Sequence, residues 1–205
     1  MITIIDYGLG NILAFVNIYK KLDVPVQVAK NTDDLSKASQ LILPGVGAFD
    51  HAMGLLEASG MRQTLDELVL VRKMPVLGIC VGMQILAASS DEGKMPGLGW
   101  IPGNVRAFDS ELQSASLPLP HMGWNDVRPL LNTRLFKRLE KDACFYFLHS
   151  YFFECEQIKN IIAIANYGVD FSCAVHLENI YGVQFHPEKS HQWGIQLLKN
   201  FAEVD

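Results

Sequence analysis

The chain has 205 residues, with 17 Lys and Arg against 22 Asp and Glu and a net charge of −5. That length supports one substantial core and is short for two enzyme domains, so a single domain over residues 1–205 is expected. The acidic balance argues against nucleic acid as partner, and no apolar run approaches the roughly 18 residues of a membrane span. "MITIID" lacks the charged start, long apolar stretch and cleavage site of an export signal, so a cytoplasmic chain is expected.

The first ninety residues alternate between two kinds of segment. "MITIID" is apolar and β-branched. "YGLGN" turns, and "ILAFVNIYKKL" carries helical spacing through Ile12, Phe15, Val16 and Tyr19, with Asn11 as N-cap. "VPVQVAK" reads as a strand, "TDDLSKA" as a short helix and "QLILPG" as a third strand. A helical region from Phe49 to Val71 is interrupted near Ser59-Gly60. "PVLGIC" is the fourth strand and "VGMQILAAS" the next helix. After the loop "SDEGKMPGLGW" come strand-like segments: "NVRAF", "HMGWNDV", "CFYFLHSYFFE", "IIAIANYG", "FSCAVHL" and "YGVQFHP". "TRLFKRLE" reads as a short helix and "GIQLLKNFAE" as a closing one. The fold class is α/β: a mostly parallel central sheet with helices on both faces, and added strands in the second half. Ligands bind at the carboxyl ends of such strands, where "DYGLGN", "PGVG" and "GICVG" lie.

Three patterns compete for a chemical role. "GLGNIL" has Leu13 at the third glycine position of G-x-G-x-x-G, and the second strand ends in Ala29-Lys30 rather than an acid, so nicotinamide binding is not supported. "GICVG" has the form of a nucleophile elbow with cysteine in place of serine. Its glycines, Gly78 and Gly82, remove the collision that a sharp strand-to-helix turn imposes on residues two positions away. A helix beginning at Val81 would set N–H groups and a positive dipole end beside the sulfur, favouring thiolate. The base is best sought in "YGVQFHPEKS": His186 ends an apolar strand, and Glu188, two residues on, shares its face in an extended segment. A carboxylate on one ring nitrogen leaves the other free to take the cysteine proton. Cys144, Cys155 and Cys173 form no C-x-x-C pair and read as fillers. No His, Cys or acidic spacing supports a metal, and no cofactor is expected. His51 and His176 have no partner motif, whereas His121, His149 and His191 sit near turns and could contact a partner or substrate.

With Cys80 in "GICVGMQ" and His186 and Glu188 in "HPE", the chain resembles the class I, triad-type glutamine amidotransferases. "DYGLGN", "PGVGAF", "HMGWN", "FYFLHSY" and "GVQFHPEKS" are together similar to the branch of glutaminase subunits serving imidazole glycerol phosphate synthase, over nearly the whole length. The resemblance implies glutamine hydrolysis, with ammonia passed to a partner cyclase or synthase subunit in a heterodimer. It implies a catalytic triad of Cys80, His186 and Glu188, and oxyanion donors at Val81 and at Gly45, Val46 and Gly47. Gln84, Glu92, His149, Ser150 and Tyr151 would hold glutamine. Asn11, Trp124, Asn125 and Lys189 would face the partner, although Trp124 reads equally well as core. The prolines of "SASLPLPHMGWN" and the tryptophan of "KSHQWGIQLL" depart from the pattern on the partner side. A glutaminase feeding a sugar-modifying amidotransferase, a stand-alone γ-glutamyl cysteine hydrolase and a non-catalytic subunit remain as alternatives.

Overall fold

The computed structural model describes residues 1–108 and 117–204, so the first residues of "SASLPLP" lie outside it. In chain order, β1 (Ile2–Ile5) is buried throughout and leads into α1 (Ile12–Lys21), which buries Phe15 and Tyr19. β2 (Val26–Ala29) and β3 (Gln40–Gly45) are joined through a 3₁₀ turn at Asp33–Lys37. α2 (Phe49–Ala58) and α3 (Arg62–Asp66) follow, and α3 runs into a π-helical turn, Glu67–Val71. β4 (Val76–Cys80) leads directly into α4 (Val81–Gln84).

The second half supplies β5 (Ser89–Ser90), β6 (Gly103–Ala107), β7 (His121–Asp126), β8 (Arg128–Pro129), β9 (Cys144–His149), β10 (Tyr151–Cys155), β11 (Ile161–Tyr167), β12 (Val169–Leu177) and β13 (Ile180–Val183). α5 (His191–Ala202) closes the fold.

The main sheet runs β2-β1-β3-β4-β13-β12-β11-β8. Its first five strands are parallel, and β12, β11 and β8 continue it antiparallel. The crossover through α1 moves outward to β2, and the one through α2 and α3 moves the other way to β4. Right-handed connections in opposite directions put those helices on opposite faces. The mainly apolar central strands Ile2–Ile5, Gln40–Gly45, Val76–Cys80 and Ile180–Val183 are buried on both sides. Two smaller sheets, β10-β6-β5 and β7-β9, stand beside the carboxyl edge.

The structure corrects several local expectations. The helix after β4 is one turn long, because the carbonyls it needs are taken by the loop at residues 97–101. Leu98 N–H donates to Ile85 O, Gly99 N–H to Ala87 O and Ile101 N–H to Leu86 O. The dipole of a longer helix is therefore not what sits beside Cys80. "TRLFKRLE" is helical only at Arg134–Phe136, since Asn200 donates to the Leu135 and Lys137 carbonyls at 3.0 and 2.7 Å. "CFYFLHSYFFE" breaks at Ser150 into β9 and β10, which belong to different sheets. Asn11 precedes α1 without a side-chain capping bond.

The glycines around the β4–α4 junction have a steric reason. A Cβ on Gly78 would lie 2.6 Å from Gly82 O, as the pattern of two glycines predicts. Gly82 meets a second constraint from β3, where its Cβ would fall 1.9 Å from Leu43 O. Gly45 completes the contact, its Cβ position being 2.5 Å from Gly82 N. We expect Gly82→Ala to destabilise the fold by about 3 kcal/mol or more in urea unfolding, since backbone must move to admit the methyl group. Gly54→Ala, in α2 with nothing within 4 Å, should instead be neutral or stabilise by up to about 1 kcal/mol.

Candidate active site

Cys80 ends β4 at φ +55°, ψ −115°, a left-handed conformation that non-glycine residues rarely adopt. This is the elbow: the turn carries the sulfur off the sheet edge. Cys80 is 4% exposed, with its sulfur 4.0 Å from the Leu148 carbonyl oxygen and 3.8 Å from Gln184 Nε2.

β13 lies beside β4 in parallel register, with Gly182 opposite Gly78 and Val183 opposite Ile79, so the chain leaving β13 arrives next to Cys80. His186 is fastened there by backbone: its N–H donates to Tyr146 O at 2.8 Å. Ser190 Oγ donates to His186 O at 2.6 Å and accepts from Tyr146 N–H at 3.0 Å. His186 Nδ1 is 2.9 Å from Glu188 Oε1, and both side chains are almost fully buried. Pro187–Lys189 form a 3₁₀ turn, so Glu188 reaches the imidazole around a turn rather than by strand alternation. Glu188 Oε2 has no hydrogen-bond partner among the described residues.

Burial disfavours a charged imidazole, but the hydrogen bonds its ring makes to Cys80 and Glu188, and their charges, raise His186 to about 10 from its ordinary 6.5. The direction of the shift favours a proton on the imidazole beside the Cys80 sulfur. The same proximity acts on Tyr7, whose phenol is pushed up by burial and by the Cys80 charge. It stays protonated and donates to Pro44 O at 2.8 Å, bracing the "PGVG" loop from the N-terminal turn.

A cavity of about 300 Å³ opens on the sulfur. Cys80, Val81, Val46, Gly47, Gln84, Glu92, His149, Ser150, Tyr151, His186 and Lys189 line it, together with Pro120 and Leu148. Gly45 lies directly behind, paired in register with Cys80. Gly47 takes φ +94° with open space around its Cβ position, so glycine serves conformation there rather than packing. Glu92 Oε2 accepts from Phe49 N–H at 2.8 Å at the start of α2. Its loop is tied down by Asp50, which accepts from Lys94 and Met95 N–H.

Asn11, Trp124 and Asn125 do not line the cavity. Trp124 is 48% exposed and stacks on His191 with ring centroids 5.2 Å apart, so it is not core. Lys189 Nζ sits 5.6 Å from the Tyr146 ring centroid in the same cluster. Asn125 is different: in a strand alternate residues face opposite ways, and its amide is spent inside the chain, donating to Asn166 O at 2.8 Å.

One residue missed in the sequence, Gln184, joins the site, and His121, read there as a partner or substrate contact, is instead buried beside it. Gln184 is fully buried, accepts from Gln84 Nε2 at 3.2 Å and approaches the Cys80 sulfur. A lone polar residue in the apolar run "YGVQF", two before His186, was the available signal. His121 is buried against His149, and nothing local in "HMGWN" indicates that contact.

The family model for class-I glutamine amidotransferases matches residues 3–204, and the chain belongs to that family. Among curated relatives, imidazole glycerol phosphate synthase subunit HisH of Bdellovibrio bacteriovorus is 62% identical, with both chains covered in full. The protein of the same name from Leptospira borgpetersenii is 52% identical over the same extent. Solved structures share the fold at low identity. The glutaminase domain of Trypanosoma brucei CTPS gives a TM-score of 0.66 at 16% identity, covering 100% of this chain and 94% of its own. A glutamine amidotransferase of Thermotoga maritima gives 0.63 at 16%, covering 91% and 75%.

A raised His186 stabilises the folded state through its charged form. That contribution is complete below pH 6.5 and is lost as pH rises to about 10. Glu188→Gln should therefore cost most stability below pH 6.5, and the gap to wild type should close toward pH 10. Urea unfolding across that range checks this, and a gap independent of pH contradicts it.

Proposed function

We propose that the chain is the glutaminase subunit of imidazole glycerol phosphate synthase. It hydrolyses glutamine to glutamate and ammonia and delivers the ammonia to a cytoplasmic synthase partner making imidazole glycerol phosphate and AICAR in histidine biosynthesis. The observation that carries the reading is the strained Cys80 elbow beside a His186–Glu188 pair, at a cavity lined by every glutamine-holding position the family resemblance implies. The names of relatives at 62% and 52% identity favour this acceptor over a sugar.

The chemistry follows from the protonation state. With the proton on His186, Cys80 sulfur adds as thiolate to the side-chain amide carbon of glutamine, forming a C–S bond and an oxyanion. Val81 N–H and a donor from Gly45–Gly47 stabilise the oxyanion. The tetrahedral intermediate collapses as the C–N bond breaks, and His186 gives its proton to the departing nitrogen, so ammonia leaves. His186, now neutral, takes a proton from water as that water adds to the thioester. The thiolate is then expelled, glutamate leaves and the imidazolium is restored. Glu188 keeps Nδ1 protonated throughout and directs the other nitrogen at the reacting atoms. Glu92 suits the α-amino group of glutamine by charge. The conformational freedom of Gly47 suits a loop that sets its oxyanion donor only when the partner is engaged.

Ammonia is mostly protonated at neutral pH and then a poor nucleophile, so a sealed exit favours transfer. Met122 (65% exposed), Trp124 and Leu148 form an apolar surface near the cavity, with Lys189 and His191 beside them. This surface and Asn11 suit the partner.

Cys80→Ala should abolish glutamate release while the chain still folds and unfolds cooperatively in urea. Wild-type hydrolysis should be weak alone and rise at least ten-fold with partner and acceptor ligand bound. Trp124→Ala and Lys189→Ala should weaken the complex or let glutamate outrun acceptor product. Wild-type affinity and one-to-one stoichiometry in both variants would assign this face wrongly.

A further inference from the structure

A single line of hydrogen bonds runs from β7 into the glutamine pocket. Asn125 Nδ2 lies 3.2 Å from His121 Nε2, and His121 Nδ1 lies 2.9 Å from His149 Nε2. His149 Nδ1 lies 2.8 Å from the Tyr151 carbonyl oxygen, which also accepts from Gln84 Nε2 at 3.1 Å. Gln84 bonds in turn to Gln184, whose amide reaches the Cys80 sulfur.

The direction of this line is set by its end. A carbonyl oxygen only accepts, so His149 must carry its hydrogen on Nδ1. Burial holds His149 near 3 and His121 near 4, so both rings are neutral at physiological pH. A neutral His149 then offers a lone pair at Nε2, which obliges His121 to donate from Nδ1. His121 Nε2 becomes the acceptor, and Asn125 supplies the donor. The plane of His121 is clamped between Tyr167 and Phe147, stacked with centroids at 4.1 and 4.8 Å.

We propose that His121 is a positioning residue for glutamine: with Asn125 it locks His149 in the Nδ1–H form, and His149 fixes the Tyr151 carbonyl and the Gln84 amide that wall the pocket. The role rests on the glutaminase reading. It assigns Asn125 to the pocket's support rather than to the partner face. His121 touches no substrate and acts through a neighbouring ring. Its work is therefore expected in glutamine binding and not in the chemical step.

Two measurements test this. Nitrogen-15 NMR of the isolated chain should show His121 and His149 as Nδ1–H tautomers. In the complex with the synthase partner, His121→Leu should raise KM for glutamine about ten-fold, the size of one hydrogen bond to a buried group, with kcat within about two-fold. His121→Asn, whose amide nitrogen can occupy the Nδ1 position, should bring KM back to within about three-fold of wild type. An Nε2–H tautomer at His149, or a folded His121→Leu protein with unchanged KM, overturns the proposal. Equal KM increases in the Leu and Asn variants also overturn it, since that would be loss of packing. If His121→Leu does not fold, Asn125→Ala is read the same way: a His149 tautomer and a KM both unmoved overturn the proposal. If the wild-type complex does not hydrolyse glutamine, the glutaminase reading fails while the tautomers still decide the hydrogen-bond line.

Discussion

Cys80 is held at a positive φ because β4 and β3 run side by side and the chain must turn within one residue where they end. A strained backbone of this kind costs on the order of 1–3 kcal/mol and persists only when its surroundings over-determine it. Here they do. Gly45, Gly78 and Gly82 bring three backbone segments so close that a methyl group on any of them would overlap its neighbour. β4 is buried along its whole length between β3 and β13. The strain therefore sits at the buried centre of the sheet, and the sulfur is aimed by the end of a central strand.

The same sheet order brings in the rest of the site. Because β13 is the other neighbour of β4, the segment that follows it must pass Cys80, and backbone bonds to Tyr146 and Ser190 keep it there. The Cys80 sulfur in front of the ring and the buried Glu188 carboxylate behind it together raise the imidazole pKa against the opposing effect of burial. "PGVG" is the continuation of β3, the third adjacent strand. Cys80, His186 and the "PGVG" loop thus come from three neighbouring parallel strands, and the cavity forms at their common carboxyl edge, as expected for open α/β sheets.

The first four strands were legible because each is a short, mainly apolar and β-branched run between turn residues. The elbow was legible because its glycines are local to the cysteine. What escaped was decided at a distance. The helix after Cys80 stops because residues 97–101 claim its carbonyls, and nothing in "VGMQILAAS" records that competition. "CFYFLHSYFFE" has one composition but two sheets, since the break at Ser150 depends on which strands pair on either side. The roles of His121 and Gln184 arise from partners far along the chain. Asn125 was assigned to a surface by resemblance, but its amide bonds within the chain at Asn166 and His121.

The catalysis proposed at the elbow requires a covalent intermediate on the sulfur. Acid quench of the complex during turnover of isotopically labelled glutamine, followed by peptide mass spectrometry, reads it directly. The mechanism predicts a γ-glutamyl thioester on Cys80, with Cys144, Cys155 and Cys173 unmodified. Steady release of labelled glutamate with no adduct on Cys80, or with an adduct on another cysteine, would contradict it.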